Sequence, residues 1–176
     1  TSTFPVPGTE EIKFYLHSEG DARSFPGDGS LTLDVPGDET EDHYVYDPSL
    51  PTPTETEELT DRREIEIRSD VLTYTTAPLD KPLTILGELE LALYAATDCK
   101  DTDWFGQVTE VFPDGRSVAF HYGHGGVRAR YREGLTEEKL IVENTVKKFT
   151  ISLGLAGHQL AAGNQLRLSI FSSNFP

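Results

Sequence analysis

Ser117 lies in a stretch that resembles the surroundings of a serine nucleophile. The segment VFPDGRSVAF contains Gly-Arg-Ser-Val-Ala, which departs from the motif G-x-S-x-G only at Ala119. A nucleophilic serine at such an elbow needs a strand before it and a helix after it, because the helix start supplies oxyanion donors. Here Pro113-Asp114-Gly115 has the residue types of a tight turn, and alternating apolar residues follow it. The pattern therefore predicts a hairpin in which Ser117 begins the returning strand, and no catalytic residue.

The histidines do not supply a partner for a triad or a metal site. His121 and His124 lie close together in HYGH, but they flank a glycine-rich turn. Two histidines without a carboxylate at a suitable spacing bind metal weakly, so we expect roles at turns and strand ends. His17, His43 and His158 are isolated, with no partner that the sequence identifies. The sequence predicts no cofactor.

Three carboxylates in TDCKDTDW, those of Asp98, Asp101 and Asp103, could supply oxygen ligands to a calcium ion. The stretch lacks the D-x-D-x-D-G spacing and the distal Glu of an EF-hand. Asp and Thr side chains also close turns by bonding to nearby backbone groups. The sequence favours a structural turn here, with Ca²⁺ as the alternative.

Three arginines alternate with less polar residues in GVRARYR. If this segment is a strand, its period of two places Arg128, Arg130 and Arg132 on one face. Such a face can be simply solvated, or it can dock onto carboxylates of a neighbouring domain. The sequence leaves both alternatives open.

Composition restricts the partners of the chain. Its 176 residues carry a formal charge of −15, which disfavours binding to nucleic acid and to anionic membranes. The longest apolar run, Leu91–Ala96, is far shorter than the about 20 residues of a membrane span. The single cysteine, Cys99, favours a reducing, cytoplasmic compartment over a secreted one. The chain has no Met, and we expect it to be a piece of a longer protein.

Period-two alternation of apolar residues dominates the sequence and predicts an all-β chain of antiparallel strands with one face of each strand toward a core. In the longest segment Gly87 interrupts the alternation, which predicts a bulge or a bend in the strand. Thr136–Leu140 and His158–Ala162 are predicted to form at most one helical turn each. The Pro-rich and acidic segment 36–61 is predicted to be a long loop, anchored by Tyr44-Val45-Tyr46. Alternation defines the predicted strands through Ile12, Phe14 and Leu16; Leu31, Leu33 and Val35; Leu83 to Ala95; Val118, Phe120 and Tyr122; Val127, Ala129 and Tyr131; Phe149, Ile151 and Leu153; and Leu166, Leu168 and Ile170.

Five motifs follow one another along the chain: DPSLPTPT (47–54), RSDVLTYTTAPL (68–79), DTDWFGQVTEVFPDGRS (101–117), GVRARYRE (126–133) and SSNFP (172–176). With these motifs in this order, the chain resembles the C-terminal domain of the X-Pro dipeptidyl-peptidase and cocaine-esterase-like serine hydrolases, a group that includes α-amino acid ester hydrolases and glutaryl acylases. The resemblance implies a galactose-binding-like jelly-roll β-sandwich spanning 1–176, and a parent enzyme whose Ser-Asp-His triad lies on an N-terminal α/β-hydrolase domain.

The resemblance also suggests partners. The domain is expected to pack on the catalytic domain and to help wall its substrate cleft, with Arg128, Arg130, Arg132, Asp47 and Pro48 as the contact candidates. The family continues past SSNFP into a final strand, so we expect one unpaired sheet edge and self-association. Two further hypotheses remain open. One is a sugar-binding module using Trp104, Tyr94 and Tyr122, and the other is a domain that drives oligomerisation.

Overall fold

A computed structural model describes residues 6–23, 27–53, 61–120 and 125–175, and this part of the chain consists mostly of β-strands. No helix in these ranges has the length and apolar character needed to cross a membrane. The elements are β1 (Tyr15–His17), β2 (Ser30–Thr32), α1 (Arg63–Glu66), β3 (Leu72–Thr75), β4 (Leu83–Ala95), β5 (Asp103–Val111), β6 (Ser117–Ala119), β7 (Gly125–Arg128), a 3₁₀ turn (Ala129–Tyr131), β8 (Lys147–Leu160) and β9 (Gln165–Phe171).

The strands form two sheets that face each other. The larger sheet has the order β1-β2-β3-β9-β5-β6, and β7 also pairs with β5. The smaller sheet is the long antiparallel pair β4–β8. This arrangement confirms the predicted β-sandwich. Its strands are not all antiparallel, however, because β2 runs parallel to β3, with Ser30 opposite Thr75.

The core between the sheets follows the predicted alternation. On β8, Phe149, Ile151 and Leu153 are buried, and Leu168 and Ile170 of β9 join them in one cluster. Gly106 of β5 permits close packing at this point. A Cβ atom there would lie 2.8 Å from the Leu153 Cδ2 atom and 3.1 Å from that of Leu91. The two sheets therefore approach closely because this position has no side chain.

Local structure differs from the predictions at three places. The bulge in the small sheet lies on β8, where Leu89 pairs with Gly154 and Glu90 pairs with Ser152, whereas Gly87 stays in register with Ala156 and has φ 137°. Gly154 has φ 92°, which glycine adopts without strain. The strand predicted through Leu33 and Val35 ends at Thr32, and both apolar side chains are exposed. His158 lies within β8 and not in a helical turn.

The outer face of the large sheet is also buried, which the prediction of one core-facing side did not include. Opposite Leu168 and Ile170, the alternate β9 residues Arg167, Ser169 and Phe171 are all buried. Their direct partners on β5 are Thr109, Gln107 and Phe105. Helix α1 covers part of this face, where Ile65 packs with Val71 and Phe171. The molecule therefore has a third, partial layer outside the larger sheet.

Candidate functional site

Ser117 is a buried hydrogen-bond donor on β6. The turn before it closes through bonds from the Phe112 amide to the Arg116 carbonyl and from the Gly115 amide to the Phe112 carbonyl, both of 2.8 Å. The predicted hairpin is thereby confirmed. The Ser117 hydroxyl lies 2.6 Å from Glu66 Oε1 and 2.9 Å from Thr109 Oγ1. The Ser117 hydroxyl therefore donates a hydrogen bond to a carboxylate and contacts a second hydroxyl, whereas a catalytic serine would contact a histidine.

The Glu66 carboxylate connects helix α1 to the outer face of the large sheet. Its Oε2 atom accepts a bond of 2.5 Å from Nη1 of Arg167, and both side chains are almost completely buried. The Nε atom of Arg167 donates to Thr75 Oγ1 at 2.8 Å. A buried ion pair is favourable only when its remaining donors and acceptors are also satisfied, and here neighbouring hydroxyl groups meet that need. The network fixes α1 against β5, β6 and β9.

Residues just after α1 hold the segment 47–51 in place. Arg68 binds Asp70 through two bonds of 2.8 and 2.7 Å. The same guanidinium donates from Nη2 to the Leu50 carbonyl at 2.7 Å. Because α1 is fixed to the sheet, this contact positions the neighbouring loop.

The DPSL sequence forms a tight turn. The Leu50 amide donates to the Asp47 carbonyl at 3.0 Å, with Pro48 at the second position, where its fixed φ is suited to the turn. The Asp47 carboxylate accepts bonds from the amide and the hydroxyl of Ser49, at 2.8 and 2.7 Å. These bonds lower the pKa of Asp47. Asp47 therefore acts within its own turn, and the turn exposes Leu50 at its end.

The loop is also attached to the end of β9. The Tyr44 hydroxyl lies 2.6 Å from Ser172 Oγ, and its ring packs edge-on against Trp104, with 6.1 Å between centroids. This contact makes Tyr44 an anchor of the loop. Further along, the Thr52 amide donates to Ser173 Oγ at 2.7 Å. The Phe175 amide donates to the Thr52 carbonyl at 3.0 Å.

The two attached segments border an open groove of about 310 Å³, which we call the C-terminal groove. Its size is at the lower end of the range for small-molecule sites, about 300–1,000 Å³. Phe175, which lines the groove, is 64% exposed, and Leu50, which lies in the chain between the lining residues Pro48 and Pro51, is 65% exposed. The groove is lined by Tyr46, Pro48, Pro51, Asp103, Phe105, Ser172, Ser173, Asn174 and Phe175.

Glycine allows β7 to pass close to the floor of the groove. A Cβ atom on Gly126 would lie 2.4 Å from the Phe105 ring, and one on Gly125 would lie 2.0 Å from the Ser152 carbonyl oxygen. The Phe105 ring stacks on Phe171 at a centroid distance of 5.8 Å. Gly126 therefore leaves room for the Phe105 ring, which lines the groove, and Gly125 allows β7 to lie close to β8.

The arginines of GVRARYR do not lie on one face of a strand, so that prediction was wrong. Strand β7 ends at Arg128, and the chain then enters the 3₁₀ turn. The cause is Asp101, whose Oδ1 atom accepts the Arg130 amide at 2.9 Å and so removes it from strand pairing. The guanidinium groups bind within the domain. Those of Arg128 and Arg130 reach Asp101 Oδ2 at 2.8 and 2.7 Å, and that of Arg132 donates to the carbonyls of Ala129 and Lys139.

Two of the three carboxylates considered for calcium, those of Asp101 and Asp103, are bound by Arg128. This side chain donates to Asp101 and, through Nη1, to Asp103 Oδ2 at 3.1 Å. Asp98 is not part of this contact and lies against the thiol of Cys99. Burial raises the pKa of Asp101, but the bonds from Arg130 and Arg128 outweigh it and lower the value. For Asp103 burial dominates, and its pKa is raised although Arg128 opposes the shift.

Across the described ranges, no group of three His, Cys, Asp or Glu side chains could hold a metal ion. His121, His124 and Tyr122 lie outside those ranges. Of the other aromatic residues considered for sugar binding, Trp104 is buried in the core, whereas Tyr94 is exposed on β4. Three histidines have carboxylate partners that sequence did not show. His158 binds Glu110 at 2.7 Å, His17 binds Glu39 at 2.7 Å, and the exposed His43 lies 3.3 Å from Glu41.

Sequence reasoning placed Asp47 and Pro48 in a contact region but missed the groove itself. Asp103 was considered only as a metal ligand, and Phe105 and Phe175 were not singled out. The structure brings Pro48, Asp103 and Phe175 together from three distant segments. One signal in the sequence could have indicated the groove. The segments DPSLP, DTDWF and SSNFP all carry polar residues beside aromatic residues or prolines.

Comparison with known proteins gives a consistent result. The full chain, residues 1–176, matches the family described as the X-Pro dipeptidyl-peptidase C-terminal non-catalytic domain. It is 34% identical to the cocaine esterase of Rhodococcus sp. (strain MB1 Bresler) over 98% of its own length and 31% of the esterase. An aminopeptidase from a marine sediment archaeon, Thaumarchaeota archaeon, has a similar structure, with TM-score 0.79 and 28% identity over 89% of this chain.

An α-amino acid ester hydrolase is also similar, with TM-score 0.77 and 27% identity over 90% of this chain. This chain spans 29% of each of the two solved structures. It therefore corresponds to about a third of each relative. A match over the whole chain, joined to the sandwich architecture, shows that the chain belongs to the family of X-Pro dipeptidyl-peptidase C-terminal non-catalytic domains.

Proposed function

We propose that residues 1–176 form one accessory domain of a larger serine hydrolase that acts on esters, acyl amides or X-Pro peptides. The observation that carries this proposal is the match of the whole chain to a non-catalytic domain family, together with its span of about a third of its relatives. In this hydrolase the nucleophile, which would form the acyl-enzyme, belongs to a separate α/β-hydrolase domain. The internal bonding of Ser117 supports this division of roles.

A fluorophosphonate probe tests where the nucleophile lies. In the full-length protein we expect one labelled serine, outside the 176 residues. The variant Ser117→Ala should be labelled to the same extent as the unaltered protein. Labelling at Ser117 would overturn the proposal.

The face around the C-terminal groove is the surface we assign to the catalytic domain. Leu50 and Phe175 are exposed apolar side chains beside one concave surface, and apolar side chains in such positions are typical of contact surfaces. The turn that carries Leu50 is rigidly held by Arg68 and Asp47. A rigid, exposed apolar turn loses little conformational entropy on docking. By this contact the domain would support one wall of the substrate cleft.

A charge placed in this surface tests the contact. In the full-length protein, Leu50→Asp should separate the unfolding of this domain from that of the catalytic domain and raise hydrogen exchange in residues 44–53. Leu155→Asp is the matched control, because Leu155 is 63% exposed but lies on β8 of the small sheet. Equal behaviour of the two variants would count against this assignment of the surface.

A further inference from the structure

The charged side chain that lines the groove is a carboxylate, although the sequence pattern pointed to arginines as the docking residues. The guanidinium groups of Arg128 and Arg130 are bound by Asp101. Asp103, by contrast, lines the groove and keeps 32% of its side-chain surface exposed. Only its Oδ2 atom has a hydrogen bond within the described part of the molecule, to Arg128 at 3.1 Å. The other oxygen, Oδ1, is left to accept a bond from outside.

The walls around this carboxylate suit a flat cation. Tyr46, Phe105 and Phe175 bring three aromatic rings to the lining, beside Pro48 and Pro51. Aromatic faces attract guanidinium groups, and the planar fork of an arginine also matches a carboxylate. The volume of about 310 Å³ fits a side chain better than a large ligand.

We infer that the C-terminal groove receives a guanidinium group from the catalytic domain of the same protein, with Asp103 as its counter-charge. The inference rests on the proposed function, because it assumes that the catalytic domain covers this face. Charge complementarity favours it, since Asp103 is the one charged side chain among the described residues that line the groove. Burial already raises the pKa of Asp103, and an arriving cation would reverse this shift by stabilising the charged form.

The first test uses the full-length protein. Asp103→Asn keeps the shape of the side chain and removes its charge. We expect it to increase the open population of the interface about tenfold, as the loss of a hydrogen bond between charged groups does. The readout is hydrogen exchange in residues 44–53. Asp114→Asn is the control, because it removes the same charge from the β5–β6 hairpin, where Asp114 pairs with Arg116.

The second test identifies the partner group. A photoreactive benzoylphenylalanine in place of Phe175 should capture a catalytic-domain peptide that contains an arginine. Exchange of this arginine to Gln should reproduce the effect of Asp103→Asn, and the double variant should show little further loss. Independent, additive effects of the two exchanges would overturn the inference.

The outcomes separate this inference from the function on which it rests. If Asp103→Asn behaves like Asp114→Asn while Leu50→Asp opens the interface, the proposed guanidinium in the groove is refuted, but the proposed contact with the catalytic domain is retained. If Leu50→Asp also has no effect, both the contact and the cation are overturned.

Discussion

Replacement of Ser117 by Ala separates a structural serine from a catalytic one. The hydroxyl is completely buried and donates to the Glu66 carboxylate at 2.6 Å. Hydrogen bonds to charged groups contribute about 1.5–3 kcal/mol. Glu66 keeps its bonds to Arg167 and Thr109, so we expect a loss of about 2 kcal/mol in the free energy of unfolding. This corresponds to a decrease of roughly 30-fold in the folding equilibrium constant.

The free energy of unfolding can be measured by urea denaturation of the 176-residue chain. Trp104, its only Trp, lies in the core and reports on the transition. Ser152→Ala is the matched control, because this exposed serine on β8 should change stability by no more than about 0.5 kcal/mol. Glu66→Gln should cost more than Ser117→Ala, about 3–5 kcal/mol, because it leaves the buried Arg167 charge uncompensated.

The activity of the full-length hydrolase provides the second readout. We expect Ser117→Ala to keep its turnover number at temperatures at which the variant is folded. The reasoning is refuted if activity disappears while the free energy of unfolding stays the same.

Three further predictions concern pH, packing and assembly. Glu39 holds the pKa of His17 above its usual value, and His17 lowers the pKa of Glu39. The stabilisation due to His17 is therefore complete below its unfolded pKa of 6.5 and is lost as pH rises through the higher folded value. That due to Glu39 is lost as pH falls through its lowered value. After correction for the intrinsic pH dependence of amide exchange, hydrogen exchange of residues 33–42 should increase as pH rises above 6.5, and His17→Gln should remove this additional dependence. Gly125→Ala should cost about 1–3 kcal/mol, because the new Cβ meets a β8 carbonyl, whereas Gly157→Ala has only a contact of 3.8 Å and should be tolerated in thermal denaturation. Neither strand of the small sheet has a second strand partner among the described residues, so we expect the domain to self-associate as its concentration rises. Sedimentation velocity that shows only monomer at high concentration would contradict this prediction.

Hydrophobic alternation was sufficient to predict the long strands because each of them buries one apolar face in the central core, whereas the sandwich itself was implied by the family resemblance. Phe149, Ile151 and Leu153 illustrate this, since a single stripe defines both the strand and its orientation. The four residues of α1 are too few to show a helical period, so this helix could not be predicted. The covered outer face also escaped prediction, because most of its strand residues, such as Arg167, Ser169 and Gln107, are polar.

The groove and the buried network depend on contacts between distant parts of the sequence. Glu66 and Arg167 are separated by 101 positions, and no local pattern connects them. The arginine segment shows the opposite difficulty. Its alternation is typical of a strand, but Asp101 binds the Arg130 amide and turns the chain. Tertiary hydrogen bonding therefore overrode the local pattern at the residues that had seemed best suited to docking.

Hydroxyl-radical footprinting of the full-length protein tests most directly whether the groove face is covered by the catalytic domain. Leu50, Phe175 and Leu155 have nearly equal exposure in this domain, at 65%, 64% and 63%. We expect Leu50 and Phe175 to be protected from modification and Leu155 to react, since it lies on the opposite sheet. The rates are compared after correction for the intrinsic reactivity of each side chain. The account would be contradicted if Leu50 and Phe175 were modified as fast as Leu155.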